Sequence, residues 1–408
     1  MIDPGAIMTF QVLPLASHLR RQETVDGVVA RARERLAGLG HEVVVLEAGD
    51  EPRPDQPLLL LVVTGGVEHL ALSAASRHPE PPVLLTHADN NSLPAALEVL
   101  ARLGLEGRGG LIAPLGGDAA AAHRLEAALA AVAARGRLRQ SRLGSVGGPS
   151  PWLVASSPEP AAVAARHGCR ILELGLEELL ADIAEVPEVE AGEVARSLAP
   201  VDPAGEVARA ARVELGLRAL VARHRLDAVT VKCFDLLEAT GTSGCLALSR
   251  LNDEGVVAGC EGDLPALVTM LLLVAAGGGP TFMANPQELS LADRTLWLAH
   301  CTVPRRLCSE VALTTHFESG RSVAVAGVLR PGPFTLARLG GADLGKLFMA
   351  EGEVVASAAS PNRCRTQVLV RLEGGLEELL ERPLGNHHVL APGRLGQALE
   401  CFRRLYLR

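Results

Sequence analysis

The sequence predicts two doubly wound, Rossmann-like parallel-sheet domains of the α/β class, followed by a mostly antiparallel β domain. In the N-terminal part, apolar extended runs alternate with helical stretches rich in Ala, Leu and Arg, as in a parallel sheet covered by helices. The same alternation of strand-like and helical stretches begins again near residue 139. Beyond the Gly277-Gly278-Gly279-Pro280 break, most runs alternate apolar and polar residues with a period of two, as in β-strands. We therefore predict domains at 1–138, 139–278 and 279–408.

Each predicted domain has its own series of elements, bounded by Gly and Pro. The first should contain strands at Phe10–Leu13, Val43–Leu46, Leu58–Val63 and Val83–Thr86. The second should contain strands at Trp152–Ala155, Cys169–Leu174, Ala228–Cys233 and Val256–Cys260, an acidic, Pro-containing segment at Glu185–Glu193, a long helix from about Pro203 to His224, and a buried helix from Leu264. The third should contain strands at Val323–Leu329, Phe334–Leu339, Val354–Ser357 and Thr366–Leu372, forming a sheet or small barrel, and a terminal helix at about Gly393–Tyr406.

Composition excludes several classes of partner. The 408 residues carry 39 Lys+Arg against 47 Asp+Glu and no long basic run, so we expect no nucleic-acid partner. The longest apolar stretch, Leu264–Ala276, is too short to cross a bilayer, so we expect no membrane association. We predict a cytoplasmic protein, because the start lacks a secretory pattern and the eight cysteines form no C-x-x-C pair.

The segment Cys260-Glu261-Gly262-Asp263 carries the strongest chemical signal. It places two carboxylates between an apolar strand and a buried helix. Asp263 fits the helix N-cap, with Pro265 in the first turn, where its missing N–H costs nothing. Glu261 has no such structural explanation, and the carboxyl end of a strand suits a metal ligand or a proton-transfer base.

Further polar residues follow apolar runs in the last third of the chain. Asn285 ends the run from Phe282, His300 ends the run from Trp297, and His387 and His388 stand together between Gly and Pro residues. One glutamate with two or three histidines predicts a mixed nitrogen and oxygen site for a divalent ion. His316, Glu318 and Arg365 lie near predicted strand ends and are candidates to contact substrate.

Four short motifs in this order resemble the active-site series of L-fucose and L-arabinose isomerases. They are Cys-Glu-Gly-Asp at 260–263, Phe-Met-Ala-Asn at 282–285, Leu-Ala-His-Cys at 298–301 and Gly-Asn-His-His at 385–388. The likeness covers roughly residues 228–390. The flanking phrases Val-Lys-Cys-Phe at 231–234, His-Phe-Glu-Ser-Gly at 316–320 and Cys-Arg-Thr-Gln at 364–367 look like those of a shorter fucose isomerase-like branch.

The resemblance implies a fold, a cofactor and roles for individual residues. In both enzyme families the glutamate matching Glu261 binds a manganese-type ion and takes part in proton transfer. His387 matches a histidine ligand of both families, and His300 matches one of the arabinose branch. The resemblance thus implies Glu261, Asn285, His300 and His387 as the metal set. We also predict His388, His316 and Arg365 as substrate contacts. Relatives assemble into trimers or hexamers, so a homo-oligomer is implied as well.

Asn285 departs from the family pattern, which has a second carboxylate at this position. An amide can coordinate a metal through its oxygen but cannot act as a base near neutral pH. Glu261 could serve both carbons alone, or His300, Asp263 or Lys232 could replace the missing carboxylate. Lys232, one of only two lysines, could also stabilise the charge of an enediolate. Alternatively, Lys232 has a purely structural role in an ion pair or at an interface.

These residues support one main hypothesis and two alternatives. The first is a metal-dependent aldose-ketose isomerase, an intramolecular oxidoreductase that uses Mn²⁺ and acts on a small sugar through an enediol. The second is an epimerase or a non-catalytic sugar-binding protein, which Asn285 favours. A nucleotide-dependent enzyme would need a phosphate-binding loop, and the glycine-rich turn at Gly144–Gly148 does not match one.

Overall fold

The computed structural model describes residues 8–407 except 48, 200, 201, 203 and 204. Among these, Leu138–Gly396 form one compact unit, here called the central unit. The described residues within Gly5–Arg137 and Gln397–Arg408 form a second unit, here called the N-terminal unit. Residues 397–407 thus group with the N-terminal sheet, and the three predicted domain boundaries stay a prediction.

The N-terminal unit is a parallel sheet of five strands in the order β2-β1-β3-β4-β5 with flanking helices. Its elements are β1 (Thr9–Leu15), α1 (Gln22–Gly38), β2 (Glu42–Val45), β3 (Leu58–Val62), α2 (Glu68–Arg77), β4 (Val83–Thr86), α3 (Ser92–Leu105) and β5 (Leu111–Pro114). Helices α4 (Ala119–Gln140) and α13 (Gly396–Tyr406) cross the boundary between the units. Every residue of β3 and β4 is buried, because a parallel strand covered on both faces needs a continuous apolar run.

The central unit begins with a parallel sheet of four strands in the order β7-β6-β8-β9. Its elements are β6 (Arg142–Val146), α5 (Pro160–His167), β7 (Arg170–Leu174), α6 (Leu176–Glu185), α7 (Glu188–Leu198), α8 (Glu206–His224), β8 (Ala228–Val231), α9 (Cys233–Thr240), α10 (Cys245–Asp253), β9 (Val257–Cys260) and α11 (Leu264–Leu273). Helix α11 is buried at every position and continues into a wider π-helical turn at Val274–Gly278. The buried helix predicted from Leu264 is confirmed.

The rest of the central unit is antiparallel. Its elements are β10 (Phe282–Ser290), β11 (Thr295–His300), a 3₁₀ turn (Arg305–Leu307), β12 (Cys308–Thr314), β13 (Ala324–Leu329), β14 (Gly332–Gly340), β15 (Lys346–Ala358), β16 (Thr366–Leu372), α12 (Leu376–Glu381) and β17 (His388–Pro392). Six strands close a barrel in the order β10-β11-β16-β15-β14-β17, while β12 and β13 form a separate ribbon. The predicted succession of parallel sheets and antiparallel β structure is therefore confirmed.

One predicted element was wrong, and another lies partly outside the described residues. Trp152–Ala155 is a turn, because Leu153 N donates to Ser150 O and Ser156 N donates to Leu153 O, which curls the chain. The acidic segment Glu185–Glu193, to which the sequence assigned no element, overlaps helix α7, whose Ala195 packs against the barrel core. Helix α8 is confirmed, but its predicted start at Pro203 falls outside the described residues.

In the part of the chain that the structure describes, no helix combines the length and the apolar character of a bilayer-spanning segment.

Candidate metal centre

The connection from β9 to α11 is a tight turn with two residues in the left-handed region. Glu261 has φ 62° and Gly262 has φ 69°. A Cβ at position 262 would lie 2.0 Å from Gly148 O, so only glycine fits there. A glutamate in this region costs of order 1–3 kcal/mol. The turn persists because Ser150 N donates to Glu261 O at 2.9 Å and Gly262 N donates to Val231 O at 3.1 Å.

Three side chains from distant parts of the sequence meet at this turn. Glu261, His300 at the end of β11 and His387 just before β17 are all buried, and one ligand atom from each lies within 4.8 Å of the others. Oε1 of Glu261 is 3.4 Å from Nε2 of His387, and the rings of His300 and His387 contact edge to face at 5.5 Å between centroids. The structure thus brings together three of the four predicted metal ligands.

Asp263 contacts this group through His387. Its Oδ1 accepts a hydrogen bond from Ala266 N at 2.7 Å, which confirms the predicted N-cap of α11. Its Oδ2 lies 2.9 Å from His387 Nδ1. A proton on Nδ1 would leave the Nε2 lone pair directed at Glu261, and such carboxylate–histidine contacts orient metal-ligating imidazoles.

A fully buried arginine completes the support. Arg338 Nη1 donates to Asp263 Oδ2 at 3.0 Å and to the carbonyl oxygen of His387 at 2.9 Å. Its Nη2 donates to Ser156 Oγ at 2.6 Å. Because an unpaired buried charge is costly, the guanidinium and the Asp263 carboxylate stabilise each other in the interior.

The electrostatics of the site favour the charge states that a metal ligand needs at Glu261 and His300, but not at His387. Burial lowers the pKa of His387, but its contacts with Asp263 and Glu261 raise this pKa above its usual value. Burial raises the pKa of Glu261, but contact with His387, the charge of His300 and the Trp152 N–H together bring this pKa below its usual value. Burial and the charge of His387 lower the pKa of His300 to about 4, so this imidazole is neutral near pH 7. Its Nδ1 lies 3.0 Å from Thr302 Oγ1.

These residues fit a divalent cation. Imidazole nitrogens and one carboxylate oxygen are the mixed donor set that ions such as Mn²⁺ and Zn²⁺ accept. Nε2 of His387 is buried and makes no hydrogen bond, although buried polar atoms are nearly always satisfied. A coordinated ion would explain this unsatisfied atom.

Two other predicted catalytic residues have partners of their own. The half-buried Asn285 lies on β10, and its Oδ1 accepts a hydrogen bond from Asn386 Nδ2 at 3.3 Å. The ammonium of Lys232 lies 2.8 Å from Asp235 Oδ2, as expected if Lys232 has the structural role of an ion pair. Neither residue belongs to the Glu261, His300 and His387 group.

The predicted substrate contacts fall in two places. His388 is buried against the Phe348 ring, with Nδ1 3.2 Å from Asn386 O. His316 is buried in the turn between β12 and β13, with its ring 5.9 Å from that of Phe234. Arg365 lies over the Phe317 ring and donates from Nε to Thr315 O at 2.8 Å. Their role as substrate contacts stays a prediction.

Sequence reasoning missed Trp152 and Arg338. The Trp152 Nε1 donates to Glu261 Oε2 at 2.6 Å. A signal was present for both residues. Trp152 is one of only two tryptophans and stands between Pro151 and a glycine pair on one side and a serine-rich turn on the other. Arg338 has the strand parity of Phe334 and Leu336, which face the barrel core.

Comparisons with known proteins point to sugar isomerases. No family model matches the chain. A sulfoquinovose isomerase of Alkalicoccus urumqiensis is 22% identical over 286 residues, which cover 66% of this chain and 64% of that protein. One of Priestia megaterium is 23% identical over 171 residues, 40% of this chain and 38% of that protein. One of Clostridium sp. (strain MSTE9) is 32% identical over 82 residues, 20% of this chain and 18% of that protein.

These matches are distant and partial, because the chain spans less than two thirds of the length of the curated relatives. They support the sugar-isomerase class that the sequence resembles, and they do not distinguish its fucose from its arabinose branch.

Proposed function

We propose that this chain is a metal-dependent sugar isomerase that interconverts an aldose and a ketose through an enediol. The observation that carries the proposal is the convergence of Glu261, His300 and His387, whose ligand atoms lie within 4.8 Å of one another. The names of the relatives independently support a sugar isomerase.

Glu261, His300 and His387 would hold the ion, for which we propose Mn²⁺. A divalent ion bound there would polarise the substrate oxygens and stabilise the charge of the enediolate. Asp263 keeps His387 oriented, and Arg338 keeps Asp263 ionised: burial raises the pKa of Asp263, but the charge of Arg338 brings it below its usual value. Both residues thus act through His387 rather than on the sugar.

Glu261 is our candidate for the first proton transfer. Isomerisation removes a proton from one carbon and returns it to the neighbouring carbon, so an ionised carboxylate must lie beside the reacting atoms. Burial raises the pKa of Glu261, but contact with His387 brings it below its usual value, so this carboxylate is ionised near pH 7. It would take the carbon-bound proton and return it to the adjacent carbon.

Glu318 is our candidate for moving the proton between the two substrate oxygens. Asp263 is fully buried with both oxygens bonded, and Lys232 is paired with Asp235. Glu318 lies in the same turn as His316, whose ring contacts Phe234, and Phe234 contacts Trp152. Burial raises the pKa of Glu318, and the charge of Glu261 raises it further, so this carboxyl carries a proton more readily than an isolated one.

Substrate, location and assembly are proposals of the same kind. The relatives make sulfoquinovose the first sugar to test, followed by pentoses and deoxyhexoses. We propose a homo-oligomer, a trimer or hexamer, because the families that the sequence resembles assemble in this way. We also propose a cytoplasmic location, which the eight cysteines without a C-x-x-C pair favour.

The test combines metal content with turnover. Purified protein is loaded with Mn²⁺, its bound metal is measured, and the sugar panel is followed by NMR. We expect about one ion per chain at this group and conversion of at least one sugar. Glu261→Ala should lose both the metal and the conversion, whereas Glu310→Ala, at an exposed position of β12, should lose neither. No conversion by the wild type, with metal retention equal in Glu261→Ala, would contradict the proposal.

Asn285 favours a second candidate, a sugar-binding protein without chemistry. The position holds an amide that cannot serve as a base, and its oxygen is already bonded to Asn386. A pure binder should be stabilised against heat by a sugar even in the presence of a chelator, whereas an isomerase that holds its sugar through the ion should not.

A further inference from the structure

The loop after β6 contacts Glu261 at two separate points. Ser150 N donates to the backbone oxygen of Glu261 at 2.9 Å. Two residues later, the Trp152 indole N–H donates to the Oε2 atom of Glu261 at 2.6 Å. One short segment therefore fixes both the backbone and the carboxylate of the same residue.

The same loop also reaches the support beneath the site. Ser156 Oγ accepts from Arg338, which in turn bonds Asp263 and the backbone of His387. Gly148, in the left-handed region, is so close to Gly262 that no side chain fits between them. The loop thus contacts the turn that carries Glu261 and, through Arg338, the chain that carries His387.

The indole of Trp152 is more exposed to solvent than is favourable for a large, mostly apolar side chain. Trp152 is 47% exposed, whereas Glu261, to which it donates, is 9% exposed. The Phe234 ring contacts it edge to face at 4.9 Å between centroids. A large ring held at the surface by one aromatic contact and one short charged hydrogen bond indicates a role beyond burial.

We propose that Trp152 is a positioning residue that holds Oε2 of Glu261 and thereby orients Oε1 towards a metal ion. An indole N–H can donate but never accept, so it prefers the ionised carboxylate. With Oε2 held by the indole, Oε1 lies 3.4 Å from His387 Nε2. Trp152 would thus favour coordination through Oε1. The inference rests on the metal centre of the proposed function.

The first measurement needs no metal. In a Trp297→Phe background the only indole is that of Trp152, and its Nε1–H signal can be followed by NMR. We expect a downfield, slowly exchanging resonance that moves upfield when Glu261→Ala is added. An indole resonance that is unchanged by Glu261→Ala would overturn the proposal.

The second measurement is Mn²⁺ affinity by calorimetry. Trp152→Phe keeps the aromatic contact with Phe234 and removes only the donor, so we expect affinity to fall about tenfold, the scale of losing a residue that orients a ligand. Trp297→Phe, which changes the other tryptophan on β11, is the matched control and should bind as wild type. Both variants should still unfold cooperatively in chelator, with Trp152→Phe melting at a lower temperature because Glu261 Oε2 loses its donor. Equal affinities for the two variants would refute the positioning role.

The outcomes separate this inference from the proposed function. If Mn²⁺ binds with the expected difference but no sugar is converted, the isomerase proposal fails and the role of Trp152 stands. If wild type binds no Mn²⁺, the metal centre and the positioning role both fail, and the NMR result decides only whether the hydrogen bond exists.

Discussion

Two buried carboxylates of the central unit are almost equally inaccessible, but their surroundings differ. Asp263 is fully buried, and Glu214 on α8 is 1% exposed. Each is paired with arginine. Glu214 Oε1 accepts from Arg218 and from Arg250, both partly exposed, and Oε2 makes no hydrogen bond. Asp263 uses both oxygens, and one of its partners is His387.

The difference lies in what the partner contacts next. Among the described residues, the side chains of the arginines around Glu214 bond one further carboxylate, that of Glu254 at the surface. The histidine bonded to Asp263 has its other nitrogen beside Glu261. A buried ion pair by itself is therefore weak evidence for a site, whereas one that orients an unsatisfied ligand atom is strong evidence.

The sharpest test of this comparison is Asp263→Asn. It leaves Arg338 buried without a counter-charge and weakens the contact that orients His387. We expect a loss of about 3–5 kcal/mol in the free energy of unfolding and a 10- to 100-fold loss of Mn²⁺ affinity. Urea unfolding and calorimetry measure the two effects. An affinity within twofold of wild type would show that Asp263 serves stability alone.

Glu214→Gln is the matched counterpart. Because Arg218 and Arg250 keep access to water, we expect a smaller loss of about 1–3 kcal/mol in unfolding free energy. Mn²⁺ affinity should not change, since no hydrogen bond links Glu214 to the metal group. A drop in affinity comparable to that of Asp263→Asn would break the distinction between the two carboxylates.

Thr302→Val tests whether support of the second histidine is weaker. Its hydroxyl lies 3.0 Å from His300 Nδ1 and carries no charge. Loss of a neutral hydrogen bond is worth about 1 kcal/mol, so Mn²⁺ affinity should fall about fivefold. If Thr302→Val costs more affinity than Asp263→Asn, charge is not what makes the Asp263 support strong.

The smallest effect concerns the pH dependence of Glu254, the partly exposed carboxylate that pairs with Arg218. The hydrogen bond from Arg218 lowers the pKa of Glu254 despite partial burial. Its stabilisation is therefore complete above the unfolded pKa of 4.5 and is lost as pH falls through the lower folded pKa. Glu254→Gln should cost less than about 1 kcal/mol near pH 7 and nothing once pH lies below the folded pKa. Urea unfolding at both pH values measures this.

Local patterns explain which parts of the site the sequence predicts. Glu261 and His300 each end an apolar run, and His387 stands in a histidine pair between Gly and Pro residues, so each could be identified from its local sequence. The Asp263 N-cap depends on only three following residues. Their convergence depends on the barrel, in which β10 pairs with both β11 and β17.

The remaining residues depend on contacts that no local pattern encodes. Trp152 acts on a carboxylate 109 positions away, and Arg338 acts on one 75 positions away. The same limit explains the wrong strand at Trp152–Ala155. Four apolar residues suggest extension, but Ser150 is fixed by a distant backbone oxygen, and the following residues turn around it.

The left-handed backbone of Glu261 has a consequence for protein engineering. A buried acid in a conformation that only glycine adopts freely is poor for stability in the metal-free state. Replacing it with glycine should therefore raise the melting temperature of the apoprotein while removing the carboxylate. Selection for thermal tolerance alone would erode this position first, which makes it a sensitive indicator of the trade-off between stability and activity.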